Sequence, residues 1–160
     1  MSQWTHVAGI IRLDSIGATL LRGNKDEITR QVKEAAEKIL GYTVKFDSPA
    51  EQPCTVPTGS EGSLQYEVVH TGGDGELAWG HVAIWGDLRD FGEEDVPKIT
   101  KWFEESLLKM KPRPGTQFAN KIDQVVAAFS IRDAVLSVNV EYGLKRILTW
   151  DNVAQKLLCR

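Results

Sequence analysis

The first pattern along the chain is a period-two alternation from Trp4 to Leu13, which predicts a β-strand. One face of this strand carries Thr5, Val7, Gly9, Ile11 and Leu13. The other face carries Trp4, His6, Ala8, Ile10 and Arg12. Because both faces include apolar side chains, we predict that the strand lies near the centre of a sheet.

Apolar residues at helical spacing predict a first helix over residues 24–40. Asn24 is a suitable N-cap, and Glu27 occupies the capping-box position. Gly41 follows the last apolar residue, where a glycine in the left-handed conformation commonly ends a helix. The stripe expected to face the core consists of Ile28, Val32, Ala35, Ala36, Ile39 and Leu40.

A second helix is predicted over residues 95–111, with Asp95 as its cap, Pro97 in its first turn and Pro112 beyond its end. The acidic stretch 87–95 could bind a hard cation, but it lacks the alternation of a calcium loop. Negative charge is favoured at a helix N-terminus, so we interpret the stretch as a helix start. The apolar stripe consists of Val96, Ile99, Trp102, Phe103, Leu107 and Met110.

Between the helices, residues 64–70 and 77–85 predict the strands of a β-hairpin, joined by a glycine-rich turn at 71–76. If Thr71 lies opposite Glu76, strand alternation gathers aromatic and histidine residues on one face. That face would carry Tyr66, Val68, His70, Leu77, Trp79, His81 and Trp85. The pattern leaves open which face of the hairpin meets the helices.

Three further strands are predicted at 125–131, 134–141 and 144–150. Turns at 132–133 and 142–143 would join them into an antiparallel meander. Asp151 is placed to cap a short closing helix that contains Val153, Leu157 and Leu158.

The resulting order, β-α-β-β-α-β followed by strands and a short helix, is that of a ferredoxin-like fold with a C-terminal extension. We therefore predict one α+β domain over residues 1–160, in which two helices cover one face of an antiparallel sheet. The other face would be solvated, dimerised or covered by the extension. The segment 47–63, rich in proline and glycine, is predicted to be a long loop.

Composition limits which binding partners and which cellular compartment we expect for the protein. The 160 residues carry a formal net charge of -3, with Lys and Arg spread singly, which disfavours nucleic-acid binding. No apolar run approaches the roughly 20 residues of a membrane span, and the N-terminus lacks a signal-peptide pattern. Cys54 and Cys159 are expected to be free thiols in a reducing cytoplasm.

The candidate site is a set of aromatic and histidine side chains on the predicted strands: Trp4, His6, Tyr66, His70, Trp79, His81 and Trp85. One hypothesis is that this face is core, with its histidines hydrogen-bonded. A second is that it is an open face that docks a partner or a second copy. A third is that His6, His70 and His81 converge on a metal or a small ligand, although their spacing matches no known ligand motif.

Segments 4–15, with Trp4 and His6, and 79–86, with Trp79, resemble small phage and prophage proteins of gut bacteria, a group without an assigned function. The resemblance covers only these two short segments and carries over no catalytic or binding residue. It implies an accessory role in assembly, host interaction or counter-defence.

No catalytic motif stands out in the sequence, since a Gly-x-Ser-x-Gly elbow is absent and Cys54 has no histidine near it. We predict a cytoplasmic, non-enzymatic interaction or assembly module without a cofactor, which binds a protein partner or itself through the aromatic face or the sheet edges. Membranes and nucleic acids are not expected partners. The alternative is a small-ligand-binding or metal-binding protein, or an enzyme, that uses His6, His70 and His81.

Overall fold

The structure of the protein, a computed structural model, describes residues 2–13, 25–43, 55–70, 80–110 and 130–160. Within these ranges the fold is α+β, with one six-stranded antiparallel sheet and two helices. The strands are β1 (Trp4–Leu13), β2 (Gln65–His70), β3 (Gly80–Arg89), β4 (Ile131–Val140), β5 (Lys145–Asp151) and β6 (Lys156–Cys159). The helices are α1 (Lys25–Leu40) and α2 (Val96–Lys109), and a 3₁₀ turn (Glu93–Asp95) leads into α2. Neither of these helices combines the length and apolarity needed to cross a bilayer.

The strand order is β2-β3-β1-β4-β5-β6, and neighbouring strands run antiparallel. β1 therefore lies inside the sheet, between β3 and β4, as its two partly apolar faces predicted. Of those two faces, the one with Thr5, Val7, Ile11 and Leu13 is buried. The face with Trp4, His6, Ala8, Ile10 and Arg12 is exposed or half-buried.

One buried cluster joins both helices to a single face of the sheet. The helices contribute Val32, Ala35, Ala36, Ile39, Leu40, Ile99, Phe103 and Leu107. The strands contribute Val7, Ile11, Val82, Ile84, Leu136, Val138, Leu148 and Trp150. Because side chains alternate along a strand, the residues between these positions point away from the helices.

The C-terminus of α1 lies at Leu40, as the sequence predicted. Gly41 adopts a φ of 97°, and its N–H donates to the Glu37 carbonyl at 2.9 Å. Two aromatic side chains bind the last carbonyls: the Tyr66 hydroxyl donates to Gly41 O and the Trp102 indole N–H donates to Leu40 O, each at 2.6 Å. These carbonyls have no partner within the helix, so the aromatic donors satisfy them. Burial raises the pKa of Tyr66.

Asp95 occupies the N-cap position of α2, as predicted, but its side chain makes no capping hydrogen bond. The end of the acidic stretch forms the 3₁₀ turn, and α2 begins at Val96. The Asp95 carboxylate accepts hydrogen bonds from the Gly92 N–H at 3.2 Å and from Lys98 Nζ at 2.5 Å, rather than from the backbone of α2. Asn24, the predicted cap of α1, and Pro112 lie outside the described residues.

β2 and β3 pair as an antiparallel hairpin, but their register differs from the prediction by three residues. Tyr66 lies opposite Ile84 rather than His81. An odd shift moves the side chains of one strand to the other face relative to its neighbour. Tyr66 therefore shares the helix-covered face with Ile84, while His81 and Trp85 lie on the opposite face. The prediction that Tyr66, His81 and Trp85 share a face is wrong.

β4 runs without interruption from Ile131 to Val140, so the predicted turn at 132–133 is wrong. The register with β1 shifts there instead, because Arg12 pairs with Asp133 while Leu13 pairs with Ile131. This irregularity has the character of a β-bulge. The turn at 142–143 is confirmed, and the predicted strand residues 125–129 lie outside the described residues.

The predicted closing helix is wrong, because Lys156–Cys159 form the edge strand β6. Asp151 caps a turn rather than a helix: its Oδ1 accepts the N–H groups of Val153 at 3.0 Å and Ala154 at 2.9 Å. Leu157 is half-buried beside the core and Leu158 is exposed, as expected for a strand whose side chains alternate.

Of the predicted loop 47–63, residues 55–63 are described. They contain an isolated antiparallel bridge between Thr58 and Ser63, and Gly62 between them has a φ of 76°. The Arg89 N–H donates to Glu61 O at 3.0 Å. This part of the loop is therefore bound to the end of β3.

Candidate functional site

The face of the sheet that points away from α1 and α2 is called the open sheet face here. Its apolar members are Trp4, Ala8, Ile10, Val69, Ala83, Trp85, Val135, Ile147 and Leu158. Five of these are large hydrophobic residues that expose between 38% and 49% of their surface: Val69, Trp85, Val135, Ile147 and Leu158. Exposed apolar patches of this kind usually mark interaction sites.

Strand pairing makes this apolar surface continuous. One row of neighbouring residues crosses the sheet as Trp85, Ala8, Ser137 and Ile147. The next row crosses as Ala83, Ile10, Val135, Thr149 and Leu158. Adjacent strands are about 4.8 Å apart and the two rows about 7 Å apart, so side chains of this size touch their neighbours.

A charged cluster of His6, Asp87 and Glu141 borders the apolar surface at one end of the strands. His6 Nδ1 lies 2.6 Å from Asp87 Oδ1, and His6 Nε2 lies 3.2 Å from Glu141 Oε1. The hydrogen bond to Asp87, followed by that to Glu141, raises the pKa of His6, and partial burial opposes this. Because carboxylates accept hydrogen bonds, both ring nitrogens are engaged with acceptors, and His6 presents neither a free base nor a free metal-ligating nitrogen in this arrangement.

The opposite end is bordered by an ion pair between Arg12 on β1 and Asp133 on β4. Arg12 Nε lies 2.6 Å from Asp133 Oδ1, and a second bond joins Arg12 Nη2 to Oδ2. The hydrogen bond from Arg12 holds the pKa of Asp133 below its usual range. His81, on β3, pairs with Arg12 of β1 and is exposed. The open sheet face thus has an apolar centre between two polar ends.

The structure brings together four of the seven predicted site residues. Trp4, His6, His81 and Trp85 lie on the open sheet face. Tyr66 lies on the helix-covered face, where its hydroxyl binds the end of α1. Two predicted residues are not described in full: Trp79 lies outside the described residues, and only the backbone is described at His70, which pairs with Gly80.

The register also separates the histidines. His6 pairs with Asp87, and His81 lies six residues from Asp87 along β3, which is about 20 Å at about 3.4 Å per residue. Two ligands of one zinc ion each lie about 2 Å from it, so His6 and His81 cannot share a metal in this fold. Among the described residues, no group of three or more His, Cys, Asp or Glu side chains is arranged to hold a metal ion.

Several residues of the face were not predicted as part of it. Val135 and Ile147 lie on strands that the sequence did predict, but their pairing with β1 was needed to place them beside Trp85. Asp87 was assigned to a helix start, whereas it lies on β3 and binds His6. The signal that could have found this surface is the even-numbered face of β1, which the alternation identified correctly.

A second surface feature is a groove of about 550 Å³ between α2 and the β5–β6 side of the sheet. Its apolar lining comes from Val96, Pro97, Leu108 and Leu144. Its charged and thiol lining comes from Glu93, Lys101, Glu104, Glu105, Arg146 and Cys159, of which Cys159 is an exposed free thiol. Charges of both signs line this groove.

Comparison with protein-family models, with curated proteins and with solved structures found no match to this chain.

Proposed function

We propose that this protein is an interaction or assembly module that docks a protein surface on its open sheet face. The observation that carries the proposal is the apolar surface formed by two adjacent rows, on which Trp85, Val135 and Ile147 are large and exposed. Such a surface loses apolar hydration when a partner covers it, which favours association.

The layout of the face supports docking of a protein. Interfaces of this kind have an apolar centre, in which aromatic residues are enriched, and a polar rim. Trp85 lies in the centre, while the His6 cluster and the Arg12–Asp133 pair lie at the two ends. A half-exposed tryptophan within an apolar row is the residue type that most often dominates binding energy.

The same contacts argue against His6 as a catalytic group. Both of its ring nitrogens are held by Asp87 and Glu141, so it offers no nitrogen to a substrate without first breaking a charged hydrogen bond. His81, the other described histidine side chain, lies at the far end of the face. A binding role therefore accounts for the open sheet face better than a chemical one.

The finer architecture and the setting also belong to the proposal. The order β2-β3-β1-β4, with α1 and α2 as the two crossovers, supports a ferredoxin-like plan extended by β5 and β6. A phage or prophage accessory role in the cytoplasm is compatible with a small module that assembles through a sheet face. The exposed free thiol of Cys159 is compatible with a reducing compartment.

Site-specific photo-crosslinking tests the docking face. A photoreactive phenylalanine analogue replaces Ile147, which is 49% exposed on the open sheet face, or Leu108, which is 44% exposed on α2. In the native host cells we expect protein adducts from position 147 and few from position 108. The additional substitution Trp85→Glu should lower the yield at position 147 about tenfold, which corresponds to about 1.4 kcal/mol. Equal yields at both positions, or a yield at 147 unaffected by Trp85→Glu, would contradict the proposal.

A further inference from the structure

The outer strands of the open sheet face carry charges of opposite sign on its two sides. Glu67 on β2 and Asp87 on β3 are carboxylates on one side, called the acidic half here. Lys145 on β5 and Lys156 on β6 are ammonium groups on the other side, called the basic half here. Within the part of the chain that the structure describes, neither lysine has a carboxylate within ion-pair distance. The face therefore has a charge asymmetry across the strands.

The other charges of the face depart from this division, and each has a neighbour of opposite sign. Arg12 on β1 binds Asp133 on β4, and His6 on β1 binds Glu141 beyond the end of β4. Arg89 on β3 is bonded to Glu61 at 2.5 Å. Asp151 on β5 lies opposite Lys156 in the strand register. The asymmetry of the outer strands is therefore set by Glu67 and Asp87, the latter also bonded to His6, on one side and by the two lysines on the other.

A surface with this division is complementary to itself under one rotation. Consider a two-fold axis that lies parallel to the strands and passes between β1 and β4. This rotation places β3 over β5 of a second copy and β2 over β6. Each residue keeps its position along the strand direction, so residues of one row face the same row of the second copy. The acidic half of each copy then faces the basic half of the other.

From these observations we infer that the partner of the open sheet face is a second copy of this chain, related by that axis. The inference rests on the proposed function, because it names the occupant of the same face. The dimer is a two-layer sandwich of sheets, which pack about 10 Å apart with strands about 30° from alignment.

The rows that the residues occupy along the strands support this rotation in detail. Trp85 and Ile147 lie in one row, so Trp85 faces Ile147 of the second copy. Asp87 and Lys145 lie in the row through His6 and Asn139, so Asp87 faces Lys145 of the second copy. The rotation therefore matches a large aromatic with an aliphatic side chain and a carboxylate with an ammonium.

The two central strands are matched in the same way. Ile10 on β1 and Val135 on β4 are direct neighbours, so the axis between them places Ile10 over Val135 of the second copy. On the outer strands, Glu67 lies one row from Lys156 of the second copy. The apolar centre is thus covered by an apolar centre.

The other in-plane axis, perpendicular to the strands, is disfavoured. It would stack each strand on its own copy, so that Glu67 and Asp87 would approach the acidic half of the second copy and Lys145 and Lys156 its basic half. Like charges brought together in this way oppose association.

The size of the face is sufficient for a stable dimer. Six strands at about 4.8 Å cover about 29 Å, and the span of about 20 Å from His81 to Asp87 gives a footprint of roughly 600 Å² per copy. Standard interfaces bury about 600–1,000 Å² per partner. The open sheet face therefore lies within the size range of standard interfaces.

Sedimentation equilibrium of the purified full-length chain tests the inference. We expect a concentration-dependent monomer–dimer equilibrium, which Trp85→Glu weakens at least tenfold. Asp87→Lys and Lys145→Glu should each weaken the dimer, and the double charge swap should restore it. Circular dichroism and thermal melts establish that each variant is folded. Leu108→Glu, on α2, is the matched control and should leave the dimer unchanged.

Crosslinking defines the axis independently of the charge variants. In a background of Cys54→Ser and Cys159→Ser, a Trp85→Cys chain is mixed with an Ile147→Cys chain and treated with a short bismaleimide. The inferred axis predicts that the mixture crosslinks faster than either chain alone, because strand β3 lies over β5. Equal rates for Trp85→Cys alone and for the mixture would overturn this axis.

The outcomes separate the inference from the proposed function. A protein that stays monomeric up to about 0.5 mM, far above a micromolar Kd, overturns the dimer. If position 147 then still crosslinks to another protein in a Trp85-dependent manner, the docking face stands with a different partner. If it does not, both proposals fail. A dimer that is insensitive to Trp85→Glu also overturns the inference.

Discussion

Gly9 on the central strand β1 packs closely against β4. A Cβ atom at this position would lie 2.3 Å from the Val135 carbonyl oxygen and 2.6 Å from Leu136 Cδ1. Since β1 is bonded on both sides, it cannot move away without disturbing a neighbour. We expect Gly9→Ala to lower the free energy of unfolding by about 1–3 kcal/mol, as overpacking in a core does. Chemical denaturation measures the change.

Gly80 on β3 is the matched control for this substitution. A Cβ atom there would have Leu13 Cδ1 at 3.4 Å as its nearest neighbour, which is an ordinary contact. We expect Gly80→Ala to change stability by less than about 1 kcal/mol, with a gain from the reduced freedom of the unfolded chain. A Gly9→Ala protein as stable as the Gly80→Ala protein would show that β1 has more room than its contacts indicate.

His6 makes part of the stability depend on pH. Its pKa in the folded protein is raised above the ordinary 6.5 by hydrogen bonds to Asp87 and then Glu141. A raised folded pKa means that the stabilisation is complete below 6.5 and is lost as the pH rises through the folded value. We expect the stability difference between the native protein and His6→Gln, measured by chemical denaturation, to be larger just below pH 6.5 than at alkaline pH.

An NMR titration of the His6 ring checks the cause of this dependence. The ring resonance should titrate above 6.5 in the native protein, and Asp87→Asn should move the pKa back toward 6.5. A His6 pKa at or below 6.5 would show that the two carboxylates do not hold the imidazolium in solution.

The His6 cluster also illustrates what one sequence can predict at the scale of residues. The alternation of β1 placed His6 on the correct face. Its two partners lie 81 and 135 positions away, so only the pairing of β1 with β3 and β4 brings them together. No local sequence pattern encodes that strand pairing, so the charged cluster could not be predicted from the sequence.

Among the elements, α1 is held at its C-terminus by two donors from other parts of the chain. Removing the Tyr66 hydroxyl leaves Gly41 O without its 2.6 Å bond. We expect Tyr66→Phe to cost about 0.5–1.5 kcal/mol of stability, the usual net value of such a bond. Urea denaturation measures it, with Tyr142→Phe as control because Tyr142 is fully exposed. Equal stability of the two variants would contradict a role for this bond.

The hairpin shows why register is harder to predict than the strands themselves. The alternation of residues 64–70 predicted β2 almost to its ends, and β3 was recognised though misplaced. The several glycines near residue 73 are compatible with more than one hairpin closure, and the predicted closure, with Thr71 opposite Glu76, is a tight one. His70 pairs with Gly80 instead, and the three-residue difference exchanged the two faces.

The C-terminal strand was missed for a related reason. Val153 and Leu157 are four residues apart, which is the spacing of a helix face. The Asp151 side chain instead closes a turn, and residues 156–159 then pair with β5. A four-residue strand has too few alternating positions to outweigh a helical spacing, so its pairing partner decides the outcome.

At the scale of the whole molecule, the element order and the central place of β1 followed from the sequence. Apolar residues on both faces of β1 predicted an interior strand, and the strand order bears this out. Which face the helices cover could not be predicted, since both faces of the hairpin offered suitable residues. In the structure the helices cover the face opposite Trp85, so Trp85 lies on the open sheet face rather than in the core.

Because the inferred dimer stabilises only folded chains, the thermal stability of the protein should depend on its concentration. A dimer forms only from folded chains, so by mass action it adds about 2.7 kcal/mol when the concentration is about 100 times Kd. We expect Tm to rise between about 1 µM and about 500 µM, a range in which a micromolar Kd is passed. Differential scanning calorimetry measures this rise directly.

Trp85→Glu separates this association from the stability of the monomer. Trp85 is 45% exposed and contributes nothing to the buried cluster, so the variant should melt at the temperature of the dilute native protein at every concentration. Leu108→Glu, on the other side of the molecule, should keep the concentration dependence. A native Tm that stays constant over the whole range would mean that the exposed row from Trp85 to Ile147 is not covered by a second copy. A variant with the same rise in Tm as the native protein would place the contact elsewhere on the surface.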